Sequence, residues 1–151
     1  MSKIIFRKGY KYQLGEDYVH PLPTWFLGFK AINHPFYAIQ HNNGNPRLVI
    51  RHGYAWDGAS GPAIDTPNFM RGCLVHDVFY QMLREGTLPS HIHYGVRDFD
   101  VRLFADQALR EICREDGMST IRSSWVYWAV RKFSAKYADP RTKPKPWFQA
   151  P

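Results

Sequence analysis

The sequence predicts an α+β fold: N-terminal β-hairpins packed on a core of three helices. Three observations carry this. An Asn-Asn-Gly-Asn-Pro segment, Asn42–Pro46, separates two runs of alternating polarity, and Asn-Gly tolerates the positive φ of a tight hairpin. The C-terminal half holds three stretches with apolar residues spaced three and four apart, each bounded by helix punctuation. With 151 residues, 44% hydrophobic and 16% aromatic, the chain is long and apolar enough to bury one core and too apolar to stay disordered.

Taken in order, Lys3–Phe6 and Tyr10–Gln13 read as short strands. Pro21–Phe29, with two prolines, reads as a loop that exposes Trp25, Phe26 and Phe29. Phe36–His41 and Leu48–His52 form the hairpin arms. Gly53–Pro67 is too rich in Gly and Pro for regular structure.

Helix one starts at Thr66, a good cap, with Pro67 in the first helical position, and stops at Gly86. Phe69, Cys73, His76, Tyr80 and Leu83 make its stripe. Helix two is expected from Gly95 or Val96 to Glu115, with Phe99, Leu103, Asp106 and Cys113 on one face, and helix three over Thr120–Tyr137. Residues 1–138 thus form one domain, and 139–151 an extended basic tail with four prolines.

A carboxylate inside an apolar stripe is costly without a donor. Asp106 therefore needs one, and a ring nitrogen of His76 is the obvious choice. Asp98 and Asp100 are the alternatives, set aside because they lie off the stripe. Such a pair gives a base of nearly neutral pKa whose far nitrogen is fixed. Asp77 points about 100° away from His76 on the same helix and is free to serve a neighbouring site. Asp57, flanked by glycine in a turn, joins Asp77 and loop carbonyls in a hard-oxygen set suited to Ca²⁺. A His-Asp pair beside such a cation can activate water on an ester without a Ser or Cys nucleophile.

The ordered set Asp57-Gly58-Ala59-Ser60, Pro62, Cys73-x-x-His76-Asp77-x-x-Tyr80 and Asp106 resembles the prokaryotic phospholipase A2 pattern over roughly residues 54–115. Over its whole length the chain looks like a phage- and prophage-associated protein family with a WDGAS-x-P loop, HD-x-x-Y, Ala105-Asp106 and Val130-Arg131-Lys132-Phe133. The resemblance implies an antiparallel, phospholipase A2-like helical core. It implies His76 as general base and Asp106 as its orienting partner. Asp77, Asp57 and the Gly58 carbonyl would be calcium ligands, and Tyr80 would brace the second helix. Trp56 and Ser60 belong to the same loop signature, with Trp56 read as core. Where the enzymes carry a loop cysteine, this chain has Ala59, so Cys73 lacks that partner.

Two cysteines are no disulfide framework; a Cys73–Cys113 bridge and two reduced thiols both fit. His91-x-His93 reads as surface histidines rather than a metal site. A net charge of +7 favours phosphate-bearing partners, whether lipid headgroups, nucleic acid or an acidic protein face, but no nucleic-acid module is recognisable. The start lacks a signal-peptide pattern, and no run is long enough to span a bilayer. The expectation is therefore a protein of the host cytoplasm or of a phage virion. Its partners would be a lipid or other ester, phage structural proteins or a host protein. Two functions follow: a Ca²⁺-assisted ester hydrolase, or a non-catalytic tail, baseplate or host-interaction protein that keeps the fold as a scaffold.

Overall fold

Nineteen residues of helix α1, Pro67–Glu85, run through the middle of the protein, buried on nearly every side from Phe69 to Leu83. The computed structural model describes residues 6–7, 11–58 and 65–141. Helix α1 begins where Thr66 leaves extended backbone and Pro67 sets the first turn. It ends at Gly86, whose φ of 71° is the left-handed stop that glycine adopts without strain.

Two sheets lie N-terminal to α1. Strands β1 (Phe6–Arg7), β2 (Tyr12–Leu14) and β7 (Ala55–Trp56) form one antiparallel sheet, in the order β1-β2-β7. Strands β3 (Tyr18–Pro21), β4 (Ile32–Asn33), β5 (Tyr37–Asn42) and β6 (Asn45–Ile50) form a second, ordered β3-β6-β5-β4. The expected hairpin is β5–β6: Asn42 pairs with Asn45, and Asn43 and Gly44 have φ of 50° and 78°. The arms lie slightly off expectation, because the turn is two residues long and Asn45 and Pro46 already pair. Strand β3 falls in a stretch where only Tyr18 and Val19 favour a strand. It forms because β6 offers it a partner over four residues, Tyr18↔Ile50 to Pro21↔Arg47.

The Pro21–Phe29 segment is not an exposed aromatic loop. Thr24–Gly28 is a 3₁₀ turn, and Phe26 is fully buried. Trp25 stacks on Phe26 and Phe99, with centroids 4.2 and 4.8 Å apart. Burial of these rings outweighs the polar loop preference of the flanking prolines. A Cβ at Gly28 would lie 2.0 Å from the His93 carbonyl oxygen, so only glycine lets this turn press onto the next hairpin.

That hairpin, β8 (His91–Tyr94) and β9 (Arg97–Asp100), corrects the expected start of helix two. Gly95 turns the chain at φ 63°, and the Asp100 side chain accepts from Leu103 N at 2.9 Å, capping α2 (Val101–Glu115). The buried stripe of α2 is Val101, Ala105, Ala108, Leu109 and Ile112, with Asp106 and Cys113 beside it; Phe99 precedes the helix and Leu103 is half-buried. Helix three ends earlier than expected: α3 is Thr120–Phe133, and after Ser134 a single turn follows, α4 (Ala135–Ala138).

Helices α1 and α2 run antiparallel. Tyr80 and His76 meet Asp106, Gly72 lies against Leu109 and Cys113, and Arg71 reaches Asp116, so partner numbers rise as α1 numbers fall. Gly72 permits this approach: a Cβ there would sit 2.9 Å from Cys113 Sγ and 3.0 Å from the Leu109 carbonyl oxygen. One buried apolar cluster joins the sheets to the helices, from Tyr12, Tyr37 and Ile50 through Phe79 to Leu109 and Val126. No described helix is long and apolar enough to cross a membrane. Of the tail, only 139–141 lies among the described residues.

Candidate active site

Asp106 is fully buried and surrounded by donors from three helices. Its Oδ1 lies 2.8 Å from His76 Nε2 and accepts from the Tyr80 hydroxyl at 2.7 Å. Its Oδ2 accepts from Arg131 NH1, on α3, at 2.8 Å, with Arg102 3.9 Å away. Arg102 in turn donates to the Tyr80 oxygen at 3.0 Å and to the Arg131 carbonyl at 2.8 Å. The partner expected from the stripe is thus the one found. Asp100 instead caps α2, and Asp98 sits on the exposed hairpin 3.4 Å from His93.

The spacing of α1 explains the cluster. His76 and Tyr80 are four residues apart and share a face, and their rings lie 4.1 Å centroid to centroid. Both polar tips converge on one carboxylate of α2. Burial opposes charge on Asp106, but the hydrogen bond and charge of His76, then Tyr80 and Arg131, hold its carboxyl below the usual range. Burial likewise opposes charge on His76, yet the hydrogen bond with Asp106 and then the nearby Asp77 carboxylate lift its pKa above the ordinary histidine value. Burial and the neighbouring Asp106 anion push the Tyr80 hydroxyl far up, so it stays protonated, donating to Asp106 while its oxygen accepts from Arg102.

With Nε2 committed to Asp106, the other ring nitrogen is the one left to act. His76 Nδ1 lies 3.6 Å from Asp77 Oδ1, beyond hydrogen-bond length. The imidazole side chain is only 7% exposed, whereas the Asp77 side chain is 30% exposed. Asp77 therefore stands at the rim, as its 100° offset predicts, with the base beneath it.

The loop half of the expected site is described only up to Gly58. Asp57 is half-buried, and Ser60, Ala59 and Pro62 lie outside the described residues. Gly58 has φ 73°, and a Cβ there would meet Tyr12 Cε2 at 2.6 Å and the Asp65 carboxylate at 2.7 Å, which makes glycine necessary. Asp65, not singled out in the sequence, accepts from the Tyr12 hydroxyl at 2.8 Å. Trp56 is core, packed 5.5 Å from the Tyr12 ring.

Burial, then Asp77, Asp65, Cys113 and Asp57, raise the Cys73 thiol well above its ordinary value. Among the described residues, no three His, Cys, Asp or Glu side chains are close enough to hold a metal by themselves. The carboxylates of Asp57, Asp65 and Asp77 would offer oxygen donors, the kind a hard cation such as Ca²⁺ takes, with backbone carbonyls needed to complete a shell.

Cys73 and Cys113 are both free thiols and buried. His91 and His93 are exposed on the β8–β9 hairpin. A surface cavity of about 500 Å³, bordered by Phe29, Ile32, Gly86 and Pro89, lies beyond the C-terminal end of α1. Ten residues of helix separate Gly86 from His76, or about 15 Å of rise, so this cavity is not part of the dyad. Comparison with protein-family models, curated proteins and solved structures finds no match for this chain.

Proposed function

We propose that the protein is a phospholipase A2-like hydrolase, in which His76 activates water against a carboxylic ester of a lipid or similar substrate. One observation carries the reading. Asp106, itself held by the Tyr80 hydroxyl, fixes Nε2 of His76, while Nδ1 lies 3.6 Å from the partly exposed Asp77 carboxylate. In the tautomer with Nε2–H donating to Asp106, Nδ1 holds the lone pair and can take a proton from water. Asp106 then stabilises the imidazolium, and Nδ1 returns the proton to the leaving alcohol. Tyr80 and Arg131 keep Asp106 anionic throughout. The antiparallel α1–α2 pair agrees with the helical core that the sequence resemblance implies. Asp77, Asp57 and carbonyls of the Asp57-Gly58 loop would hold Ca²⁺, which when bound supplies charge for the developing oxyanion.

One observation favours a second reading. Arg131 already balances the buried charge of Asp106, and the cluster links α1, α2 and α3. A satisfied buried network of this kind also serves as a helix tie. In that case the chain is a phage structural or host-interaction protein, and the dyad is part of its scaffold.

Calcium titration by calorimetry on wild type and Asp77→Asn, with fatty-acid release from mixed phospholipid vesicles on wild type and His76→Ala, separates the two. The hydrolase reading expects calcium binding lost in Asp77→Asn and release lost in His76→Ala. A wild type that neither binds calcium nor releases fatty acid, with His76→Ala only less stable, leaves the scaffold.

A further inference from the structure

Helix α3 turns two different faces outward and inward. Inward go Ser123, Val126 and Ala129. Outward go Ile121, Trp125 and Trp128, exposed by 84%, 42% and 50%, at spacings of four and three that make one continuous stripe. Phe133, 53% exposed, extends it, packing edge-on to Trp128 with centroids 5.9 Å apart. Large apolar side chains scattered singly on a surface need no explanation, whereas a contiguous set does.

The rim of the stripe is cationic. Lys132 places its ammonium 4.8 Å from the Trp128 ring centre and 5.7 Å from that of Phe133. Lys136 lies over Tyr137 at 5.1 Å. Residues 120–138 contain Arg122, Arg131, Lys132 and Lys136 and not one Asp or Glu. From these observations we infer that the outer face of α3 docks on an anionic lipid surface.

The chemistry selects this occupant over others. Indole and ammonium side by side match the headgroup layer, where an amphipathic ring keeps its apolar body in and its polar edge wet. Lys132 beside the exposed indole, on a helix that carries no acid, matches anionic headgroups. A second copy of the chain would bring Lys132 and Lys136 against their equivalents with no acid on either helix to answer them. A nucleic acid would need open ring faces for base stacking, but Lys132 and Phe133 already occupy the surroundings of Trp128, and Ile121 has no base to meet. The same helix carries Arg131 to Asp106, so the docking face and the dyad share one rigid element. The docking does not depend on hydrolysis.

Vesicle sedimentation tests it directly, with the full chain on phosphatidylcholine vesicles containing about one third phosphatidylglycerol and on pure phosphatidylcholine. Wild type should partition onto the anionic vesicles, and less so as salt rises. Combined Trp125→Ser and Trp128→Ser should lower the partition coefficient about tenfold or more. Lys132→Glu alone should lower it about fivefold or more. These side chains are exposed, so thermal melting should stay close to wild type; should the double variant melt early, Ile121→Ser gives the same test at the most exposed position. Equal sedimentation of wild type and variants, or no sedimentation of wild type, overturns the inference. So does a wild-type dimer in sedimentation velocity that Trp128→Ser disperses, or binding to an oligonucleotide with none to the vesicles.

Discussion

Replacing Asp106 with asparagine keeps the shape of the buried side chain and removes its charge. Two oxygens now receive donors from His76, Tyr80 and Arg131; an amide offers one oxygen and one NH₂. If the oxygen faces His76 and Tyr80, the NH₂ confronts the Arg131 guanidinium. If it faces Arg131, the NH₂ points at His76 Nε2, and the ring must switch tautomer to accept it. The second arrangement is favoured, because a neutral imidazole and a hydroxyl can turn into acceptors and a guanidinium cannot. Hydrogen bonds to charged partners contribute about 1.5–3 kcal/mol each, and stripping one member from a buried ion pair costs about 3–5 kcal/mol. Arg131 keeps a 31% exposed side chain and can recover some water, so the lower end applies, about 3 kcal/mol. For a chain of this size that is a fall of about 6–12 °C in Tm. Scanning calorimetry measures it, and ¹⁵N NMR of the imidazole reads the tautomer. An Asp106→Asn protein within about 0.5 kcal/mol of wild type, a shift typical of an uninvolved surface site, would refute the argument that this carboxylate holds three helices together.

Three further expectations follow from packing and burial. Gly72→Ala gains about 1 kcal/mol of helix propensity but forces a methyl against Cys113 Sγ and the Leu109 carbonyl, at a cost of about 1–3 kcal/mol. Urea denaturation should show net destabilisation, and a stabilised variant would mean that α1 and α2 separate easily. His20 is pushed down to about 4 by burial and then by Arg71, against a smaller pull from Glu115. The unfolded chain therefore takes up this proton near pH 6.5 while the native state does not, so stability should fall as pH drops from 6.5 toward 4. The loss is at most about 3 kcal/mol, and His20→Gln should flatten that part of the stability-pH curve; an unchanged curve contradicts it. Burial and then the Asp116 charge push the Cys113 thiol up to about 12, and burial raises the Cys73 thiol well above its ordinary value too. Neither should react with a disulfide reagent at neutral pH until the protein unfolds, and fast labelling of native protein would refute this.

The central helix was legible because local chemistry and long-range packing agree there. Thr66, Pro67 and Gly86 punctuate the same segment that the apolar spacing marks. The dyad was legible for a related reason: a carboxylate on a buried face has few ways to be satisfied, and His76 lay on the other stripe. Arg131 and Arg102 were not, because an arginine on a helix reads as solvated, and only the crossing of α3 over α2 brings one to Asp106. The β8–β9 hairpin was misread as helix because Val96, Phe99 and Leu103 have helical spacing; Gly95 and the Asp100 cap carried the opposing signal. Likewise the aromatic run at Trp25–Phe29 looked exposed beside its prolines, and the partners that bury it, Phe99 and Phe104, are some seventy residues away. Among the described residues, α3 carries a contiguous exposed apolar stripe, in a helix that the sequence marks only as mixed apolar and basic.

The enclosure of α1 fixes more than packing. A side chain on such a helix has surrendered its rotamer freedom during folding, so His76 has almost none left to lose when something reaches Nδ1. The ordering cost of any encounter at that nitrogen then falls on the incoming molecule and on the rim around Asp77. The base is set in advance, and discrimination among visitors belongs to the residues that frame it.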